Sequence, residues 1–457
     1  MSLFVQSQLT IPYFIQDGAV LQRNAVMEWN GNAKPLSTII IKTGWDKSEY
    51  VVPSDSLGRW SYAINMGSEG GPFVIQFQNE KKEISVDNIY LGDVWICSGQ
   101  SNMEWRPNQG LSSGMEIVKS YSDDQLRFFT VPRNACSDEQ PTIKSTWQAA
   151  APSSNFNFSA AGFFFGKMLR DSLKIPIGII NATWGGTKAE HWMQEETLQN
   201  NNDFSNLLSD YKYGVKGEQL YPFSTALWNG MIAPLTSQPI TGVCWYQGES
   251  NAGDPLLYAK LLPSLISSWR KVWKKDFPFY IVQIAPFDYD IAIYASMTRE
   301  AQRLTALNDS LSGLVVTTDI GDLKDIHPLN KEAVGERLAR VALAKHYNID
   351  LPYSGPVLDS VQKESDKLIL SFKFLQFPKD TFLPLNCFRI AGEDGVFKEA
   401  NAYLEDNKVW VSNPAIQEPK YARFAFESGD LPNFVNEHGL PASPFRTDPF
   451  EMNLPPK

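Results

Sequence analysis

Five apolar runs of strand length recur through the middle of the chain, and they limit what it can fold into. They are DVWICSG (93–99), IPIGIINATWGG (175–186), ITGVCWYQGES (240–250), FPFYIVQIAP (277–286) and LSGLVVTTDIGD (311–322). A run that is apolar at consecutive positions suits a strand covered on both faces, as in a parallel sheet. Helix-like patterns lie between the runs, among them SAAGFFFGKMLRDSL (159–173) and PLLYAKLLPSLISSWRKVWKK (255–275). This alternation predicts an α/β fold with a parallel sheet between helices. In such sheets the chemistry collects at the carboxyl ends of the strands. Four of the five runs end there on small or polar residues: Ser98 to Ser101, Asn181 to Gly186, Gln247 to Asn251, and Asp319 to Asp322.

The flanks have a different texture. AVMEWNG, STIIIKTG, GRWSYAINM and PFVIQFQN are short, alternating and broken by Gly, Asn, Ser or Pro. Such spacing predicts a β-sandwich-like domain over 1–88. KLILSFKF, FRIAGED, KVWVSN and YARFAFES predict a second β region over 349–457, ending in an extended tail. The central domain then spans 89–348. It closes on the amphipathic helix NKEAVGERLARVALAKHY (330–347), where Ala333, Val334, Leu338, Val341, Ala342 and Lys345 trace one face.

A net charge of −10, from 41 basic and 51 acidic residues without a Lys/Arg run, argues against nucleic acid or an anionic membrane as partner. No stretch reaches the roughly 20 apolar residues of a membrane helix. The start, MSLFVQSQLTIPYF, lacks a basic leader region, and MSL reads as a remnant standing in for a removed leader. The expectation is a periplasmic or secreted protein, with the cytoplasm left open. Of the four cysteines, Cys97 and Cys244 sit inside apolar runs and read as free core thiols, a disulfide remaining possible. No Cys/His cluster has zinc spacing, and no phosphate-binding GK[ST] loop occurs.

Only four histidines are present, so an imidazole base must be one of them. His346 ends the amphipathic helix, where a cation suits the dipole, and reads as structural. His327 follows the last apolar run and precedes Pro328, which places it at a helix N-terminus beside the sheet's carboxyl end. Ser101 is the matching nucleophile, since a hydroxyl needs a base to take its proton. A lone Ser before a helix is more often an N-cap. Gly185 and Gly186 offer unobstructed backbone N–H groups, and Gln247 and Asn251 offer amide donors for an oxyanion. Singly, each is more simply a turn or loop residue. Together, Ser, Gly, Gln/Asn and His stand at four different strand ends.

The blocks CSGQSNMEW, NATWGGTKAEHW, WYQGESNAG and DIHPLNKEAVGERLA resemble those of the SGNH hydrolase superfamily, and its sialate O-acetylesterase group most closely. DGAVLQRNAVMEWNG and GLPASPFRTD extend the resemblance over nearly the whole chain. It implies a flavodoxin-like three-layer catalytic domain and a serine esterase that removes O-acetyl groups from sialic acid or related glycans, with no metal or cofactor. Ser101 would be the nucleophile and His327 the general base. The N–H of Ser101, a Gly185 or Gly186 N–H, and Gln247 or Asn251 would form the oxyanion hole. Many members place Asp three residues before the His, where this chain has Lys324. Asp325, Glu249 or a bare Ser–His dyad are the alternatives, with Asp325 preferred slightly. The alcohol side of the pocket is expected to carry aromatics such as Trp105, Trp184, Trp192, Trp245 or Tyr246. Arg106 and Lys188 lie near enough in sequence to meet a sialate carboxylate. An acetylesterase for plant polysaccharides and an inactive carbohydrate-binding protein are the competing functional readings. The oligomeric state is not legible.

Overall fold

The computed structural model describes residues 9–80, 82–213, 223–289, 291–378 and 380–449. The leader reading at the extreme N-terminus and the end of the expected tail, 450–457, lie outside the described residues.

The fold is a mixed α/β arrangement around a central, mostly parallel sheet, with antiparallel sheets on its flanks. The N-terminal strands are β1 (Val20–Gln22), β2 (Val26–Asn32), β3 (Thr38–Thr43), β4 (Glu49–Pro53), β5 (Arg59–Asn65), β6 (Gly70–Gln78) and β7 (Glu83–Gly99). β2 pairs with β5 as a separate ribbon. Met27, Trp29, Ile39, Ile41, Trp60 and Phe77 are buried between the two layers, as alternating strands require. The central strands continue as β8 (Asp123–Thr130), β9 (Trp147–Ala150), β10 (Ile177–Thr183), β11 (Gly242–Tyr246), β12 (Phe279–Val282) and β13 (Ser312–Val315).

β7 belongs to both parts. Its first half pairs antiparallel with β6 and its second half parallel with β10 and β11. The expected division between 88 and 89 therefore falls in the interior of a strand. Spatial order in the central sheet is β13-β12-β11-β7-β10-β8-β9. All five apolar runs form parallel strands in this sheet. β8 is a sixth parallel strand that the sequence reading lacked, because DDQLRFFT opens on polar residues and only Leu126 to Phe129 are buried.

Apolarity at consecutive positions is explained by two cores. Val94, Ile96, Val243, Trp245 and Ile281 point to one face, where Leu261, Leu265 and Trp269 of the helix Pro255–Trp273 pack. Trp95, Cys97, Cys244, Tyr246 and Tyr280 point to the other, against Phe164, Phe165, Val334 and Leu338. These last residues come from the helices Ala160–Leu173 and Lys331–Lys345, which pack on each other. All four cysteines are free, with Cys97 and Cys244 fully buried on adjacent strands in register.

One expectation near the last helix needs correction. The helix does not open at Pro328. Asn330 caps it by accepting from the Ala333 N–H (3.1 Å), so His327 lies in the loop before it. His346 stands at the helix C-cap, with its ring against the edge of Trp95 (5.9 Å between centroids), and burial pushes its pKa down.

The C-terminal strands, including Lys367–Lys373, Lys408–Ser412, Phe388–Ala391 and Tyr421–Phe424, form two antiparallel sheets. Leu368, Leu370, Phe388, Val409 and Phe424 give them a core of their own. Asp448, buried near the end of GLPASPFRTD, pairs with Arg423 (2.8 Å) and Arg446 (2.6 Å).

The end of β7 tolerates no side chain. Gly99 has φ +131, and a Cβ there would stand 2.2 Å from the Tyr246 carbonyl oxygen on the neighbouring strand. Gly99→Ala is expected to cost about 3 kcal/mol through combined strain and overpacking. The midpoint of urea unfolding measures this, and an unchanged midpoint counts against it.

Candidate active site

Parallel register brings the strand ends level. Thr183 of β10 and Tyr246 of β11 both stand beside Gly99 of β7. The segments that leave these strands meet at one edge of the sheet. Ser101 opens the short helix Ser101–Glu104 immediately after β7. It is not an N-cap, since Gln100 holds that position and its Oε1 accepts instead from the Ser250 N–H (3.2 Å) across the sheet.

Ser101 Oγ lies 3.0 Å from His327 Nε2. His327 Nδ1 lies 3.2 Å from Asp325 Oδ1, which also accepts the His327 backbone N–H at 2.9 Å. A carboxylate that takes both protons fixes the ring's orientation and its tautomer. The ring also stacks on Trp105 (5.1 Å between centroids, 26° between planes). Trp105 is held in turn by its Nε1–H donating to the Gly110 carbonyl at 2.8 Å. Serine, imidazole and carboxylate in this order can pass a proton from the hydroxyl and so support acyl transfer.

Glu249 is not on the imidazole. Its Oε1 accepts from Asn102 Nδ2 at 2.6 Å, while Oε2 is buried without a hydrogen-bond partner. Burial pushes the Glu249 carboxyl pKa up, against the pull of Asn102 and Lys331. Lys331 is fully buried, and burial brings its ammonium down to about 7 despite Glu249 and Asp325.

A cavity of about 740 Å³ opens over Ser101 and His327. Trp105, Arg106, Glu104, Arg133, Asn181 and Thr183 contribute to its walls. Trp184 stands beside them, with the Arg133 guanidinium 5.5 Å from its ring centre. Three expected wall residues are placed elsewhere. Trp245 is fully buried among Trp192, Trp269 and Phe279, because it points into the core face of β11. Trp192 is buried with it, its Nε1–H donating to Thr187 (3.1 Å). Tyr246 is fully buried on the opposite face. Lys188 lines a separate cavity of about 510 Å³ together with Glu190, Glu249 and Tyr289.

The expected amide donors are also committed. Gln247 is fully buried, and its Nε2 donates to Asn251 Oδ1 (2.6 Å) and the Thr187 carbonyl (3.2 Å). Asn251 Oδ1 accepts the Ala189 N–H (2.8 Å), and its Nδ2 donates to Glu190 (2.9 Å). These side chains staple the segment after β10 to the segment after β11. Their N–H groups are taken up by backbone, by each other and by Glu190, while Gln247 Oε1 is buried without a partner. Gly185 does approach the site, since a Cβ on it would lie 3.2 Å from Ser101 Cβ. Its N–H donates to Glu104 Oε2 at 2.8 Å, and Glu104 Oε1 is ion-paired to Arg133. Gly186 has φ +74 and open space beside it.

The sequence reading missed Glu104, Arg133 and Lys331. Lys331 had a signal: it falls on the same stripe as Val334, Leu338 and Val341, a position where a solvated lysine does not belong. Glu104 is one helical turn beyond Ser101 and so shares its face. Arg133 carries no local signal. Among the described residues, no group of three or more His, Cys, Asp or Glu side chains could hold a metal ion.

His191 supplies a test of the site's framework. It is buried, its Nδ1 accepts the Lys188 N–H (3.2 Å), and burial lowers its pKa to about 3. The unfolded chain binds the proton below about 6.5 and the folded one does not. Stability therefore falls as pH drops below about 6.5, by up to about 1.4 kcal/mol per unit, until about 3. His191→Asn keeps an acceptor without a titrating group, so its stability is expected to fall less steeply over that window. Parallel slopes for the two proteins in urea unfolding would show that His191 is not the group responsible.

With this geometry in hand, comparison with known proteins gives consistent results. A family model described as "Carbohydrate esterase, sialic acid-specific acetylesterase" matches residues 91–344. Sialate O-acetylesterase from Rattus norvegicus is 27% identical over 424 residues, covering 79% of this chain and 78% of that protein. The Homo sapiens sialate O-acetylesterase is 27% identical over 411 residues, covering 79% and 76%. A crystal structure of a carbohydrate acetylesterase from Xanthomonas citri superposes with a TM-score of 0.86 at 36% identity, over 96% of this chain and 100% of that one.

Proposed function

The chain belongs to the carbohydrate esterase family of sialic acid-specific acetylesterases, and from that premise we propose how its residues remove acetyl groups from sialic acid or a related glycan. The observation that carries the proposal is the pair of contacts Ser101 Oγ–His327 Nε2 (3.0 Å) and His327 Nδ1–Asp325 Oδ1 (3.2 Å). His327 takes the Ser101 proton as Oγ adds to the acetyl carbonyl carbon. The tetrahedral intermediate collapses, and the sugar alkoxide leaves with the proton from His327. Water then adds to the acetyl-enzyme, giving its proton to His327, and the carbon–Oγ bond breaks to release acetate and restore Ser101.

Asp325 is the orienting carboxylate in this reading, and Glu249 is not, since its accepting oxygen is held by Asn102. For the oxyanion we assign backbone N–H groups of Ser101 and of the Gly185–Gly186 turn. The Gly185 N–H must first leave Glu104, whose negative charge would oppose a second anion. Arg133, paired with the same carboxylate, is the group able to draw Glu104 aside. Arg106 and Arg133 put guanidinium groups in the cavity wall, which suits an acidic sugar.

The same reading extends to architecture and location. The helices on both faces of the sheet support an SGNH, flavodoxin-like assignment of the middle region. Of the division 1–88, 89–348 and 349–457, the second boundary is supported by the separate C-terminal core, while the first runs through β7, which both parts share. A periplasmic or secreted location is part of the proposal. Among the described residues no helix is long and apolar enough to cross a membrane.

Ser101→Ala is expected to lower hydrolysis of p-nitrophenyl acetate by at least about 10³-fold. Activity at the wild-type level in that variant would remove the serine from the mechanism. Asp325→Asn is expected to lower kcat by about 10²-fold, and a loss smaller than twofold would leave a Ser–His dyad. Rates on O-acetylated sialic acid and on acetylated xylo-oligosaccharide compare the two substrate classes, and a preference for the second would replace the sialate reading.

A further inference from the structure

Three side chains beneath the Ser101–His327 pair take no part in the steps above, yet they are costly to bury. Lys331 Nζ donates to Asn102 Oδ1 at 2.5 Å and lies 5.9 Å and 5.3 Å from the ring centres of Trp105 and Tyr246. Asn102 Nδ2 donates to Glu249 Oε1 (2.6 Å) and to the Ile326 carbonyl (3.1 Å). Burying ionisable groups that meet only through an intervening amide is rarely a net gain in stability over apolar side chains of the same volume. Their retention at this position asks for another explanation.

The connectivity supplies one. Asn102 follows Ser101 directly, and Ile326 precedes His327 directly. Lys331 is the first residue of the helix that follows the His327 loop. Both ends of the stretch 326–331 thus close on one amide whose backbone is continuous with the nucleophile. An isolated amide could flip, exchanging its oxygen and nitrogen. Here the contacts on either side oppose a flip, since Lys331 Nζ donates to Oδ1 and Glu249 Oε1 accepts from Nδ2. Lys331 fixes the oxygen side and Glu249 the nitrogen side, and the second N–H of Asn102 is thereby aimed at the Ile326 carbonyl.

We propose that Asn102 is the positioning residue of the catalytic pair, and that Lys331 and Glu249 serve to lock its amide so that the His327 loop is held in register with Ser101. The inference rests on Ser101 and His327 being the reacting pair. Displacement of a reacting group by about 1 Å can cost about 10²-fold in rate. The effect should therefore appear in kcat and leave KM nearly unchanged, since none of the three side chains is among those that line the cavity over Ser101.

The test is steady-state hydrolysis of p-nitrophenyl acetate, with a thermal melt to establish that each variant is folded. Asn102→Ala is expected to lower kcat by about 10- to 100-fold with KM within about twofold. Lys331→Met, which keeps the apolar stem, is expected to lower kcat in the same sense. The double variant should lose little more than Asn102→Ala alone, because both changes remove one device. A folded Asn102→Ala with kcat within twofold of wild type overturns the proposal, as does a loss confined to KM. If Asn102→Ala does not fold, the charge-conserving pair Lys331→Met with Glu249→Gln replaces it, and an unchanged kcat there overturns the proposal equally. Ser101→Ala in the same assay separates the two readings. If it retains activity, the catalytic assignment itself fails. If it is inactive while Asn102→Ala is normal, only the positioning role fails.

Discussion

The whole arrangement depends on one strand. β7 runs from Glu83 to Gly99, enters as the partner of an N-terminal strand and leaves as the middle of the parallel sheet. Its backbone hydrogen bonds set the level at which β10 and β11 end, and that level decides which segments can meet. Gly99 lets the chain pass within contact distance of Tyr246 and turn at once into the helix carrying Ser101. A residue with a side chain there would push the two strand ends apart, and the serine with them. Because the strand is shared, the N-terminal layers and the edge that carries Ser101 are continuous through it.

The site divides into a wet half and a dry half with different physics. His327 and Asp325 are partly exposed, with side chains 27% and 51% accessible, so water screens their pairing and geometry carries most of its value. Asn102 and Lys331 are buried below, where screening is weak and an unmatched charge is expensive, with Glu249 between them and the second cavity. The upper half can exchange protons with substrate and solvent. The lower half is held by the contacts of Asn102 with Lys331, Glu249 and the Ile326 carbonyl. Such a division lets a loop histidine be both accessible and well placed. The same holds for the staple made by Gln247 and Asn251, which binds the segments after β10 and β11 without facing the reaction.

Much of this was legible in the chain. Five runs apolar at consecutive positions become five parallel strands because each must be covered on both faces. Ser101 and His327 could be singled out because a hydroxyl nucleophile needs an imidazole and few histidines were available. Where the reading failed, it failed on orientation. Trp245 and Tyr246 were at the right strand end, but the twofold alternation of a strand sends them into opposite cores. Gln247 had the right chemistry, yet its amide turned inward to satisfy a buried carbonyl. β8 escaped notice because half of it is polar, and Arg133 because a loop side chain far along the sequence has no periodicity to betray it.

The sequence by itself determined which groups are chemically available and which segments must be strands or helices, since residue type and periodicity are local properties. It also placed the chain in a recognisable family through four separated blocks. Only the tertiary structure decided which carboxylate meets the imidazole. Asp325 reaches it from two residues away because the loop bends back to accept the His327 N–H, while Glu249 is held from across the sheet by Asn102. That choice depends on a contact between Asn102 and Glu249, 147 residues apart, and no pattern along the chain records it.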